Sequence, residues 1–242
     1  MTVSVIAQLD NILNRKKQKR APGWLGDAIY GVNDGLGAIF GIIAGVAGYT
    51  PNSHAILVAG FFGAVASTLS MGAGAWLSTK SKNELMESGF QKAQEDIRRN
   101  PSHECKSLSL IYQEKGFSEA EAEHIAQTIA SDESRFLQAI AQEKHGLHES
   151  SRGNPWSSAV FAALSTFVGA IVPLLAFFFM HGEAALVAAA AVSLFAHFVV
   201  GAAKSAVTVR SWWASGIEMT LAGVIVGALS YILGVLGNVM LG

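Results

Sequence analysis

The chain has 242 residues, of which 51% are hydrophobic and 14% charged, with a formal net charge of -1 and a mean hydropathy of +0.37. A soluble domain carries about 25% charged residues, so a wholly water-exposed globule is excluded, and a nucleic-acid partner is excluded by the lack of a clustered Lys and Arg excess. Cys105 is the only cysteine, which rules out an intramolecular disulfide and a thiolate metal cluster.

The first twenty residues do not read as a secretory signal, because the basic run "RKKQKR" follows the apolar residues instead of preceding them. Val5, Ile6, Leu9, Ile12 and Leu13 share one helical face. Two readings stand side by side: a short helix lying on an anionic membrane surface, and a frayed tail.

Beyond this segment the charge falls into blocks. Residues 28–48 are uncharged except for Asp34, and residues 53–79, 153–182 and 184–203 carry no charge. Residues 211–242 carry one charge, Glu218, whereas 80–152 are polar and charged. A helix needs about 20 apolar residues to cross the hydrocarbon core. Five spans are therefore expected, at about 28–48, 54–79, 156–180, 184–206 and 213–240. Continuous rather than alternating apolar character specifies helices and not a barrel.

With five spans, one side of the membrane receives the N-terminus, the 80–152 block and the loop between spans four and five. All 17 Lys and Arg residues fall on that side. The positive-inside rule makes it the cytosolic side. The 80–152 block reads as helical, with Pro101 its one proline. Asn100 and Pro101 mark one helix start, and Ser118 with Glu121 forms a capping box. A further helix is expected from about 132 to 146, stopped by Gly146. Three or four short helices are expected in all, the first continuing out of span two.

The expected architecture is an all-α membrane protein with five transmembrane helices and a cytosolic helical insert between spans two and three. Its parts are an N-terminal cytosolic segment (1–26), spans one and two (27–80), the insert (81–153) and spans three to five (154–242).

Asp34 lies about seven residues into span one, roughly 10 Å deep at 1.5 Å per residue. A carboxylate at the centre of a span costs about 2.5–3.5 kcal/mol on insertion scales and persists where it faces protein or water. Asp27 stands two turns earlier on the same face. Around them Gly31, Gly35, Gly37, Gly41, Gly45 and Gly48 allow close helix approach. The bland reading is a packed helix with Asp34 neutral or bonded to backbone; the functional reading, favoured here, is a carboxylate on a cation path. Met71, set among Ser70, Gly72 and Gly74, offers a soft thioether, though membrane methionines more often only pack.

"DAIYGVNDGLGAIFGIIAGVAG" and "STLSMGAGAWLSTKSKNEL" together resemble the paired signature of the vacuolar iron transporter family, which includes bacterial manganese exporters. The resemblance continues through "VPLLAFF" at 172–178, "GAAKS" at 201–205 and "SGIEMTLAGVIVGALSY" at 215–231, and covers the chain from about residue 24 onward. The first two motifs are specific, and the later ones arrive in the right order.

The resemblance implies a homodimer that moves Fe2+ or Mn2+ out of the cytosol in exchange for protons, with no permanently bound cofactor. Asp34 and Met71 match the residues that line the metal path near the dimer interface, and Asp27 and Glu218 the neighbouring acids. It also implies a cell membrane in a prokaryote and a vacuolar membrane in a eukaryote. In well-matched members the insert is rich in metal-gathering glutamates. Glu84, Glu87, Glu95, Asp96, Glu104 and Glu143 are the candidates here. Ala93, Ser107 and Lys144 stand where further acids are expected, and Gly63 where many members carry a span-two glutamate. The transport core is kept and the insert is thinned, so a structural insert is an open reading.

Several lone signals carry less weight. Glu121 and His124 have di-iron spacing but no second such motif. His145 and His148 straddle a glycine and read as a surface pair. His197 reads as packing before it reads as a proton group. Lys204 is expected to snorkel, Trp212 and Trp213 to anchor at the interface, and Pro173 to kink span three. An enzyme is not expected. Two alternatives are kept: a transporter of Co2+ or Ni2+, and a non-transporting membrane protein whose insert binds partners or senses metal.

Overall fold

The computed structural model describes residues 23–148, 152–205 and 208–241. Eight helices and no strands occur among them. In chain order they are α1 (Gly23–Tyr49), α2 (Ser53–Arg99), α3 (Pro101–Glu114), α4 (Glu119–Ala130), α5 (Glu133–Glu143), α6 (Pro155–Phe179), α7 (Gly182–Lys204) and α8 (Trp212–Leu241). The expected N-terminal amphipathic segment lies outside the described residues.

Five helices are long and apolar enough to cross a membrane: Ala28–Tyr49, Ser53–Arg99, Pro155–Phe179, Gly182–Lys204 and Trp212–Met240. They agree with the five expected spans, and the protein is an integral, multi-pass, all-α membrane protein. Large apolar side chains such as Phe62, Leu69, Phe195 and Leu233 are exposed on them. In water such a surface would drive aggregation; in lipid it is the solvated face, because only helices satisfy their own backbone groups there.

The chain divides into two compact units, the first comprising residues up to Ala75 and from Ser157, the second Trp76–Trp156. In the first, α1 is the most enclosed span and α8 the least, with 44% against 11% of the most apolar stretch buried. The core is built from Ile39 and Ile43 of α1, Ile56 and Ala64 of α2, Ala170, Leu174 and Phe177 of α6, and Ala185 and Ala189 of α7. So α1 is the element around which the others pack.

Glycine makes this possible at two crossings. A Cβ on Gly35 would lie 2.0 Å from the Thr166 carbonyl oxygen of α6, and one on Gly169 2.0 Å from the Val32 carbonyl oxygen of α1. Farther along α1, a Cβ on Gly48 would lie 2.3 Å from the Tyr231 carbonyl oxygen, and one on Gly234 of α8 1.9 Å from the Gly45 carbonyl oxygen. Backbone meets backbone at both places, so no side-chain rotation can relieve an added methyl group. α6 runs through Pro173 without a break in the helix.

The second unit holds the C-terminal part of α2, together with α3, α4 and α5. Its core is Ala93, Leu108, Ala126, Phe136 and Ile140. The expected helix signals operate. Asn100 Oδ1 accepts from the His103 N–H at 3.1 Å with Pro101 in the first turn. Ser118 and Glu121 form both bonds of the capping box. Asp132 caps α5, which ends at Glu143, three residues before Gly146. Gly146 takes φ +64°, and its N–H bonds the Gln142 carbonyl at 3.1 Å, a left-handed C-terminal cap.

Gly35→Val is expected to destabilise the protein by at least about 2 kcal/mol through overpacking. Gly74→Ala, where an added Cβ meets nothing within 4 Å, is expected to be neutral or slightly stabilising. Thermal unfolding and size-exclusion profiles in detergent compare the two.

Candidate metal path

Asp34 is half-buried on α1, and its Oδ2 accepts a hydrogen bond from Ser67 Oγ of α2 at 3.4 Å. That is a long contact for an O–H donor. No Lys, Arg or His forms an ion pair with Asp34 among the described residues. Met71 lies one turn beyond Ser67 on the same face of α2, and is half-buried. Gly63 lies one turn before Ser67. A Cβ at Gly63 would come within 2.5 Å of Ile42 Cδ1 and 3.3 Å of Ile39 Cδ1. Ile42 of α1 thus fills the space at the position where a second acid was expected.

On α1 the face that carries Asp34 continues through Ala38, Gly41 and Gly45. These residues, with Gly37 of α1 and Val226, Ser230 and Gly234 of α8, line a cavity of about 500 Å³. An acid without a counter-cation therefore sits one turn from a groove walled by small residues. The side chain of Asp27 lies outside the described part of α1.

Glu218, near the start of α8, is exposed and ion-paired with Arg210. No hydrogen bond joins it to Asp34, Ser67 or Met71 among the described residues.

Within the second unit, four of the six candidate acids are paired with cations. Glu84 lies 3.8 Å from Lys80, Glu87 is paired with Arg152 and Glu143 with Lys115. Glu104 is the most enclosed, its side chain only 4% exposed, and both its oxygens accept from Lys144 Nζ, at 2.9 and 2.8 Å. His103 Nδ1 lies 3.2 Å from Glu104 Oε1. Burial by itself would push the Glu104 carboxyl up. The hydrogen bonds and positive charges of Lys144 and His103 outweigh it and hold the carboxyl below its ordinary range. Glu95 is exposed and Asp96 half-buried, and neither has an ion pair among the described residues.

Ala93, at one of the thinned positions, is fully buried in the apolar core beside Leu108 and Phe136. Lys144, at another, is the cation on Glu104. No group of three or more His, Cys, Asp or Glu is arranged to hold a metal among the described residues.

The Glu121 carboxylate is engaged in its capping box, and His124 is exposed. His145 and His148 flank the left-handed Gly146, the first half-buried and the second exposed. Sequence reasoning missed Ser67 as the partner of Asp34, although its spacing of four from Met71 places it on the same helix face. It also missed Lys144 as an internal counter-ion, read only as an absent acid.

The apolar spans define the class, a multi-pass membrane protein, here with an acid on its most enclosed span. A sequence model of the VIT family matches residues 25–235. The chain belongs to the VIT family. It is 28% identical over 208 residues to vacuolar iron transporter 1 of Arabidopsis thaliana, covering 86% of this chain and 83% of that protein. It is 28% identical over 225 residues to vacuolar iron transporter 1 of Tulipa gesneriana, covering 92% of this chain and 91% of that one. The fungal vacuolar iron transporter cccA of Arthroderma benhamiae is 26% identical over 220 residues, covering 86% and 76%. These relatives are transporters by name, in line with the expectation that the chain is not an enzyme.

Glu104→Gln is expected to destabilise the second unit by about 2–3 kcal/mol, less than the ~3–5 of a fully buried broken pair because Lys144 is a third exposed. The folded carboxyl titrates below its unfolded value, so its contribution is present above the unfolded value, about 4.3. It is lost as pH falls through the folded value. The full chain should lose protection of α3–α5 below about pH 4, with a flatter acid limb in the variant; hydrogen exchange reads both.

Proposed function

We propose that this protein is a divalent transition-metal transporter that moves Fe2+ or Mn2+ out of the cytosol by proton antiport, working as a homodimer. One observation carries the reading: Asp34 is an acid in the central span, without a counter-cation among the described residues, that reaches only a long bond from Ser67. A bare carboxylate in that setting is stabilised by an arriving cation or by a proton, and the two compete for the same oxygens.

Met71 adds a soft donor on the Ser67 face of α2. A carboxylate, a hydroxyl and a thioether together suit borderline divalent ions better than Mg2+ or Ca2+. The relatives' names support iron as the cargo, and manganese follows from the same donor set. The partition of Lys and Arg to one side supports a cytosolic N-terminus and insert, hence export from the cytosol. Asp27 is assigned to the cytosolic mouth of the path. Glu218 joins the path only when its Arg210 pair opens.

The groove along α1 and α8 supports the homodimer, since a second copy packed there would enclose the Asp34 face. The insert is assigned a weak or structural part in metal handling, because Lys80, Arg152, Lys115 and Lys144 already neutralise four of its acids.

In liposomes with an imposed proton gradient, wild type is expected to accumulate Mn2+ or Fe2+, and Asp34→Asn to lower the rate at least about 100-fold, a loss of roughly 2.7 kcal/mol. No uptake of either ion by folded wild type would overturn the reading. Retained uptake by the variant would overturn the role of Asp34.

A further inference from the structure

A divalent ion carries two positive charges, and a single carboxylate returns one proton in exchange. Among the described side chains the path offers one uncompensated acid per copy, Asp34. Gly63 supplies no second carboxylate, its space being taken by Ile42, and Glu218 is held by Arg210. An exchange of one divalent ion for two protons uses a second proton-accepting group beside Asp34.

His197 of α7 has that geometry. It is 2% exposed, on a face of α7 where Ala185, Ala189, Ser193 and Gly201 are also buried. Its Nδ1 lies 2.8 Å from the Ser193 carbonyl oxygen. A carbonyl only accepts, so Nδ1 carries the hydrogen and neutral Nε2 is a bare lone pair. That nitrogen has no hydrogen-bond partner among the described residues. A Cβ built on Gly37 of α1 would lie 3.8 Å from it, and one on Gly223 of α8 would lie 3.0 Å from Cγ and Nδ1. The ring thus rests in a cradle that two glycines leave open, its free nitrogen toward α1.

Gly37 is three residues beyond Asp34, roughly 4.5 Å along the helix axis, and it lines the groove. The charged and titratable residues of the packed helices were considered in turn. α1 carries Asp27, Tyr30, Asp34 and Tyr49; α8 carries Glu218 and Tyr231; α7 itself carries Glu183 and Lys204. None makes a hydrogen bond to the ring among the described residues, so none satisfies or blocks Nε2.

We propose that His197 Nε2 is the second proton carrier of the exchange. The inference rests on the antiport reading. When metal occupies Asp34 the imidazole is neutral. When metal leaves, one proton binds an Asp34 oxygen and one binds Nε2, and the imidazolium beside α1 disfavours a cation returning to the path. The next metal ion displaces both protons.

The test measures metal flux and proton flux together in liposomes across a range of pH. Wild type is expected to move about two protons per metal ion, and His197→Gln about one, a halving of the ratio. A second variant keeps His197. Gly37→Ser brings a hydroxyl toward Nε2, where it would donate to the neutral ring and favour that form, so the pH profile is expected to shift toward acid. A ring that merely packs would leave the ratio unchanged in the first variant and the profile unchanged in the second, and that pair of results overturns the proposal. If His197→Gln does not fold, the Gly37→Ser profile decides alone, and an unshifted profile overturns it. Metal flux without proton movement in wild type would instead overturn the antiport reading itself.

Discussion

The apolar unit depends on how closely α1 can approach its neighbours. In lipid there is no hydrophobic drive to hold helices together, so close van der Waals contact and short polar contacts must do it. At Gly35 with Gly169, and at Gly48 with Gly234, backbone lies against backbone. These crossings pull α6 and α8 onto opposite parts of α1 and leave it the most enclosed span. The same closeness brings Asp34 to Ser67 and Gly37 to His197. A carboxylate and an imidazole are thereby set around one helix, which larger residues on α1 would hold apart.

The two units differ in how they treat their most enclosed acids among the described side chains, Glu104 and Asp34. In the polar unit four of the six candidate acids are neutralised where they stand. Glu104 is almost fully enclosed yet ionised, because Lys144 gives it two short hydrogen bonds. An enclosed ion pair of this kind contributes little net stability but is costly to break from one side. It fixes α3 against the end of α5 without needing an added ion. In the apolar unit Asp34 has no such partner among the described residues. No lysine or arginine among the described residues reaches it.

Most of the architecture was legible in the sequence because the membrane imposes a coarse and strong rule. Uninterrupted apolar length reports a span, and the ends of α6 and α8 fall within a residue or two of where hydropathy put them. Local caps were equally legible, since Asn100 with Pro101, and Ser118 with Glu121, act within one turn. Partners across the fold were not. Ser67 is 33 residues from Asp34 and Lys144 is 40 from Glu104. Nothing in composition or periodicity pairs them. Lys144 was visible only as a missing acid, when its meaning is that of a supplied cation. His197 reads as packing in the sequence for the same reason, because its glycine cradle is drawn from two other helices.

Three of the four positions where an acid was expected are filled in a way the structure explains, and Ser107 has no structural explanation. Where an acid was expected at position 93, alanine is buried in an apolar core; at 144, lysine neutralises a neighbouring glutamate; at 63, glycine admits Ile42. Each removes a negative charge and each is filled by packing or by a cation, so no cavity or bare charge remains at those places. Glu95 and Asp96 keep their charge without an ion pair among the described residues, so the thinning of the insert is partial.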